Sequence, residues 1–248
     1  MLIHAGVSWR WVWPGIAVAA VVVGIWTLAT DSGTAMESHS TVAPPSAEER
    51  PLQRLRREGL LVLLAIFALA EVTEGGVDTW GVLYLRHHLA TGVLLGAGAY
   101  VVGQSVAATT RGAGGAFLGR LSARRALVVG GCVAGGGILL ESLSPLSVVA
   151  AVGLALGTGG ASLFWPLVMS TVSWMASQVV SAVGTFTAAG YIGWVAGAPL
   201  VGWVSQTYGA ARGLQILAVA AFGVALCSLI RPERRIEQGD RGSVGRTP

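Results

Sequence analysis

The sequence contains no lysine and few charged residues of any kind. All 16 basic residues among the 248 are arginines, and Asp, Glu, Lys and Arg together make up 11% of the chain. Soluble globular domains carry about a quarter charged residues, so this composition excludes that class. The absence of lysine also excludes a retinal Schiff base, because that linkage requires a lysine amine.

Cysteine is nearly absent as well, and so are the common motifs of catalysis. Cys132 and Cys227 lie inside apolar runs as packing residues, so neither a disulfide nor a metal site is expected. The chain has no HExxH, GxSxG or P-loop motif, and an intramembrane aspartyl protease would need a second aspartate beside Asp78. We therefore expect neither an enzyme nor a cofactor. The net charge of +4 does not indicate a nucleic acid partner, because the arginines lie where membrane topology places them.

Long apolar runs dominate the rest of the sequence. Hydrophobic residues make up 53% of the chain, and seven runs approach the roughly 20 residues that a helical membrane span requires. The sequence therefore predicts an all-α integral membrane protein whose first partner is the lipid bilayer. The runs lie near residues 12–30, 60–85, 93–110, 126–143, 146–169, 180–204 and 213–230.

These runs predict four segments. An outer N-terminus with a single helix occupies residues 1–30, and a Ser- and Pro-rich cytoplasmic linker that ends in a basic amphipathic stretch occupies 31–58. Six helices follow over 59–230, and a polar cytoplasmic tail occupies 231–248.

The arginines predict the orientation of the chain in a cell membrane. With the N-terminus outside, thirteen of the sixteen arginines fall in the inside segments 31–58, 111–125, 172–179 and 231–248. This is the distribution that the positive-inside rule requires. Cleavage of the first run as a signal peptide would invert every later loop, and its apolar core is longer than signal peptides favour.

The run at 60–85 carries three acids. On a helix, Glu71, Glu74 and Asp78 fall within a wedge of roughly 60°, so their carboxylates share one face. Ionisable groups at bilayer depth cost several kcal/mol unless they line a cavity or have partners, and their default interpretation is functional. We therefore interpret this helix as one wall of a transport pathway.

Depth distinguishes the three acids. Measured from Leu60, Glu71, Glu74 and Asp78 lie about 16, 21 and 27 Å along the helix, so Glu71 is near the bilayer midplane. A buried carboxyl group with acidic neighbours resists ionisation and can load and release a proton. Glu71 or Glu74 is the predicted proton carrier. The alternative, in which the acids bond neighbouring helices or hydrate a vestibule, applies best to Asp78.

Two further polar residues have alternative roles that stay open. Gln104 either bonds a substrate or bonds a neighbouring helix, and Tyr191 either faces a cavity or makes an interhelical bond. His87 and His88 are expected in an exposed outer loop rather than at a metal site. Pro166 predicts a kink or a helix end, because proline lacks the N–H that a helix interior needs.

The short segment 115–125 carries a family resemblance. The spacing of Gly115, Arg120 and Arg124-Arg125 resembles the loop signature of the major facilitator superfamily, although Gly119 stands where that signature has aspartate. The resemblance implies that these residues brace a cytoplasmic gate and do not bind substrate. Ordinary positive-inside anchoring explains the arginines but not the spacing from Gly115 to Arg120.

The resemblance extends over nearly the whole chain. Residues 12–30 resemble the sixth helix of that family, 31–58 its central linker and 60–230 its helices seven to twelve. We expect the first five helices of the family to have no counterpart here. Glu74-Gly75-Gly76 and Trp80 also resemble the start of the second half in sugar-permease-like bacterial members.

Three functions follow from this resemblance. The first is a transporter of a small solute, coupled to protons, in which the chain is a C-terminal half that pairs with an N-terminal half. The second is a truncated or split relic that does not transport. The third is a membrane scaffold subunit. The substrate stays open between a sugar-like solute and an exported lipophilic compound.

Overall fold

The chain forms a bundle of α-helices. The structure is a computed structural model that describes residues 51–117 and 122–230, with backbone only at 110 and 113–117, together with five exposed helical positions between 14 and 25. The helices are α1 Pro51–Arg57, α2 Leu61–His87, α3 Val93–Phe117, α4 Ala123–Leu143, α5 Ser147–Ala161, α6 Phe164–Met175, α7 Val179–Tyr208 and α8 Ala210–Ile230. No strand occurs in these ranges, so the predicted all-α class is confirmed.

The chain divides into two compact units, residues 1–49 and 50–248. The predicted first span, most of the linker and the tail at 231–248 lie outside the described residues. The predicted amphipathic stretch at the end of the linker is α1, in which Arg54 and Leu55 are buried. The Arg54 guanidinium donates to the side-chain oxygen of Gln178, which precedes α7.

Four helical spans are long and apolar enough to cross a membrane. They are α4, α5 with α6, α7 and α8, and α2 adds a fifth when it is counted together with α1, from which it is bent by 114°. Six spans are predicted between residues 60 and 230, which is more than the four or five found. Helix α2 alone is not apolar enough because it carries Glu71, Glu74 and Asp78. Helix α3 is not counted because its apolar part, Val93–Thr109, is short.

Proline and glycine determine where two helices end. Helix α5 ends at Ala161 and α6 begins at Phe164, so Pro166 lies in the first turn of α6, where its missing N–H removes no helical bond. The helix end predicted at Pro166 is thus found just before it. Helix α7 runs through Pro199 and stops at Gly209, whose φ of 93° favours glycine.

Helix α2 lies at the centre of the bundle, where α7, α8, α5 and α3 pack against it. Two apolar core clusters occupy its two ends. One includes Leu63, Phe67 and Phe164, and the other includes Tyr84, Leu154 and Leu214. The acidic residues of α2 therefore lie where the two clusters meet, halfway along the bundle.

The outward surface of the bundle is apolar. Large hydrophobic side chains such as Val180, Ile192 and Val219 are more than two-thirds exposed on α7 and α8. Such a surface is unfavourable in water and matches the hydrocarbon of a bilayer, while the helices satisfy their own backbone groups. The fold is therefore that of a multi-pass membrane protein.

Helices α4 and α5 touch backbone to backbone. A Cβ at Gly137 would lie 2.5 Å from the backbone nitrogen of Gly157 and 2.7 Å from the carbonyl oxygen of Gly153. Only hydrogen fits at this point, and small residues are the usual means by which membrane helices approach this closely. The small-residue pair Gly153 and Gly157 thus serves packing.

We expect Gly137→Ala to destabilise the folded protein by about 1–3 kcal/mol, because the added methyl must push α5 away from α4. The adjacent Gly136→Ala is the matched control, since a Cβ at Gly136 has no atom within 4 Å. It should be neutral or stabilising by up to about 1 kcal/mol, as alanine favours the helix. Thermal unfolding of both variants in detergent measures the difference, and equal stabilities would contradict this packing.

Candidate functional site

The three acids of α2 lie on one face, as predicted, but they have different surroundings. Glu71 is the most buried, with 5% of its surface exposed, and it lies under α7. A Cβ at Gly190 would lie 3.2 Å from its Cγ, and one at Gly193 would lie 3.3 Å from its Cβ. Its Oε1 is buried without a hydrogen-bond partner in the described part of the chain. The backbone of α7 at Gly190 and Gly193 therefore covers Glu71 without a hydrogen bond to its Oε1.

Glu74 is paired with an arginine of α3. Its Oε1 accepts from Nη2 of Arg111 at 3.3 Å, and both side chains are partly exposed. The same guanidinium donates from Nε to the carbonyl oxygen of Ser162 at 3.1 Å. Ser162 lies in the break between α5 and α6, where its carbonyl lacks a helical partner. Arg111 thus joins α2, α3 and the α5–α6 break.

Asp78 is held by two side chains of α3. The Tyr100 hydroxyl donates to Oδ1 of Asp78 at 2.9 Å, and Nε2 of Gln104 lies 3.4 Å from the same oxygen. Gln104 also donates to the Tyr100 hydroxyl at 2.8 Å. Gln104 therefore bonds a neighbouring helix through Asp78, which is one of the two roles left open by the sequence, and its bond to a substrate stays a prediction.

Glu74 and Asp78 line a cleft between α2, α3 and the α5–α6 break, whereas Glu71 does not reach it. In this arrangement the cleft has no space wide enough for a water molecule. Entry of any molecule into it would require the helices around it to separate. Its lining residues are Glu74, Val77, Asp78, Gln104, Arg111, Thr158, Ala161 and Ser162.

A double-mutant cycle should detect the pair between Arg111 and Glu74. We expect Arg111→Gln and Glu74→Gln together to destabilise the protein by about 0.5–1 kcal/mol less than the sum of the single changes, because the pair is partly exposed. Thermal unfolding supplies the four stabilities. A cycle between Arg86→Gln and Glu74→Gln is the control, and its effects should add. Additive effects in the Arg111 cycle would contradict the pairing.

Tyr191 does not join this cluster. It is 64% exposed on α7 and makes no hydrogen bond within the described residues, so the proposed interhelical bond is not present there. The neighbouring Gly190, about 100° away around the helix, faces Glu71. Tyr191 therefore points away from the acidic cleft.

The arginine-rich segment after α3 contacts the end of α8. The Arg124 Nε donates to the carbonyl oxygen of Ser228 at 3.0 Å, and its Nη2 donates to that of Leu229. These contacts place a positive charge at the C-terminal end of α8, where the helix dipole favours it. Gly115 lies within α3, and the Arg125 amide donates to Ser122 at the start of α4. Arg120 lies outside the described residues.

Sequence reasoning missed Tyr100 and Arg111. Arg111 was assigned to a cytoplasmic loop beginning at that residue, and this boundary is wrong because α3 continues to Phe117. A periodicity could have revealed both residues. Positions 100, 104 and 111 fall within about 40° on a helix, so a tyrosine, a glutamine and an arginine share one polar face of an otherwise apolar span.

The fold and this cleft define a multi-pass α-helical membrane protein with a polar, charged interior. The family model for the Major Facilitator Superfamily matches residues 1–198, which includes α1 to α6 and most of α7. The chain therefore belongs to the major facilitator superfamily, a family of membrane transporters. No curated protein matches the chain significantly.

Proposed function

We propose that the chain is a proton-coupled secondary transporter of a small solute, in which Glu71 or Glu74 carries the proton. The observation that supports this most is the environment of Glu71. Its carboxyl group is buried near the middle of α2 with an oxygen that has no described partner. An ionised carboxylate there would be costly, so its charge must change with its exposure.

The cleft gives proton binding a mechanical consequence. A proton on Glu74 removes the charge that attracts Arg111, while the guanidinium keeps its bond to the Ser162 carbonyl. Neutralisation thus removes one of the contacts between α2 and α3, while the bonds from Tyr100 and Gln104 to Asp78 remain. A proton on Glu74 would therefore loosen the cleft between α2 and α3, and its release would tighten it again.

The transporter also needs a second six-helix half. Alternating access in this architecture rocks two half-bundles against a site near the midplane, and α2 to α8 supply one of them. The exposed aromatic residues Tyr191 and Trp203 of α7 offer a surface for an N-terminal half. Gly115, Arg120, Arg124 and Arg125 would brace the cytoplasmic gate through the attachment of Arg124 to α8.

The substrate class is proposed as a small solute that is either sugar-like or lipophilic. The groove between α2 and α7, lined by Trp80, Trp203 and Gln206, offers aromatic faces and an amide to both. A solute with neutral rings and hydroxyls fits such a lining better than an ionic solute does.

Transport under an imposed pH gradient tests this function. The chain would be reconstituted in proteoliposomes, alone and together with an N-terminal half of the family, and given labelled sugars and lipophilic dyes in turn. The proposal expects gradient-driven movement of at least one solute in the paired vesicles. Movement that ignores the gradient would contradict proton coupling.

Two other outcomes would replace the proposal. A stable complex with another membrane protein, without solute movement, would identify a scaffold subunit. Failure to bind or move any solute in either preparation would identify a relic.

A further inference from the structure

A fourth membrane-embedded acid, Glu141, lies outside the cleft. It is close to the end of α4, and none of its surface is exposed. Both carboxylate oxygens are buried without a hydrogen-bond partner in the part of the chain that the structure describes. A native protein rarely leaves a buried polar group unsatisfied, and such a group requires an explanation.

No cation among the described residues bonds the Glu141 carboxylate, although Arg86, His87 and His88 lie near the end of α2. Helices α5 and α6 carry no titratable side chain, and α8 carries only Arg212 and Cys227. Neither of these is a hydrogen-bond partner of the Glu141 carboxyl group. An isolated carboxylate in such surroundings would cost many kcal/mol, whereas the neutral acid avoids most of that cost.

On the side of α2, Glu141 faces a glycine of the acidic helix. A Cβ at Gly81 would lie 3.5 Å from Glu141 Oε1, so the missing side chain leaves room for the carboxyl group. Gly81 is three residues beyond Asp78 and three before Tyr84, so each of these positions is about 60° from the next around α2. Glu141 therefore lies against α2 about one turn beyond Asp78, and it comes from a second helix.

Beyond Gly81, α2 continues to the end of the bundle, where it stops at His87. Tyr84 is buried, and its hydroxyl donates at 3.0 Å to the carbonyl oxygen of Ser142, the residue after Glu141. The exposed His88 ring stacks on Tyr84 at a centroid distance of 4.8 Å. A buried acid, a phenol and an exposed imidazole thus follow one another from the interior to the surface.

We propose that Glu141 is a proton-binding site that connects the acidic face of α2 with the His88 end of the bundle. Binding forms one O–H bond on a Glu141 oxygen and breaks one in a hydronium ion or a protonated donor at that end. Release reverses the exchange toward Asp78, and nothing is oxidised or reduced. The role of Glu141 in transport rests on the proposed function, whereas proton binding at Glu141 can be tested separately.

Infrared spectroscopy of the full chain in lipid vesicles tests this site. A protonated carboxylic acid has a carbonyl band distinct from that of a carboxylate, so the spectrum is recorded from acidic to alkaline pH. We expect a protonated-acid band that disappears as the pH rises. The part of that band due to Glu141 should be lost in Glu141→Gln, which keeps the shape of the side chain.

Two controls keep the assignment falsifiable. Tyr84→Phe removes no carboxyl group, so the band must persist, whereas its loss would refute the assignment to Glu141. Glu141→Asp keeps the acid and should restore a titrating band if Glu141→Gln perturbs the fold. A Glu141 band that does not titrate would show that Glu141 is a permanently neutral structural acid, and this would overturn the proposal. Identical spectra of the original protein and Glu141→Gln would overturn it as well.

The outcome is independent of the transport assay. A titrating Glu141 without proton-coupled transport would leave the proton site standing and refute only its role. Coupled transport with a silent Glu141 would refute this site alone.

Discussion

Replacing Glu71 with glutamine is expected to abolish proton-coupled uptake while leaving the fold intact. Glutamine has the shape of the neutral acid, so it fits under Gly190 and Gly193, but it cannot release a proton. The loss should exceed about 100-fold in gradient-driven uptake, because the proton loses its carrier. Glu74→Gln should have the same effect if Glu74 is the carrier. Uptake measured at several external pH values distinguishes the two.

The control for these variants is Glu58→Gln. Glu58 lies between α1 and α2, accepts from the Ser177 hydroxyl and is separate from the cleft. Its neutralisation should leave the pH dependence of uptake unchanged. If uptake in both Glu71→Gln and Glu74→Gln keeps the original pH dependence, neither acid carries the proton.

Gly197→Leu is expected to prevent correct folding. Helix α7 crosses α2 so closely that a Cβ at Gly197 would overlap the Val72 carbonyl oxygen and lie 2.9 Å from the backbone nitrogen of Gly76. Backbone atoms cannot rotate away as a side chain can, so the helices must separate. Overpacking costs about 1–3 kcal/mol even where side chains can adjust, and a larger loss is expected at this contact.

Gly184→Leu, on the same helix, provides the comparison. Gly184 is exposed, and a Cβ there would have no atom within 4 Å. Leucine should therefore be tolerated in the membrane. The yield of monodisperse protein in detergent and its unfolding temperature measure both variants. Similar yields and temperatures would mean that α2 and α7 are not in backbone contact.

The sequence was sufficient for the features that depend on helical geometry. The acids of α2 share one face because 71, 74 and 78 are spaced at three and four residues, and this spacing does not depend on neighbouring helices. Pro166 likewise indicates a helix boundary, since its ring and missing N–H act locally. The helix end before it is found at Ala161.

Contacts between helices could not be predicted in the same way. The sequence places Glu71 near the midplane, but its burial follows from Gly190 and Gly193, which are more than a hundred residues away along the chain. The sequence places Arg111 in a loop. In the structure, α3 continues beyond Arg111 and places its guanidinium beside Glu74.

Glu141 shows the limit most clearly. In the sequence, Glu141 lies near the end of the apolar run at 126–143, where solvent would be expected. Its complete burial depends on the approach of α5 at Gly153 and of α2 at Gly81, and both approaches depend on glycines of other helices. Tertiary packing, and not local sequence, makes this acid unusual.

We propose that a proton moves with the solute by way of the α2 acids. The most direct test is the pH change outside weakly buffered proteoliposomes when a transported solute is added without any imposed gradient. We expect a solute-dependent pH change with the original sequence and none with Glu71→Gln and Glu74→Gln combined. Solute movement without any pH change in the original protein would contradict it.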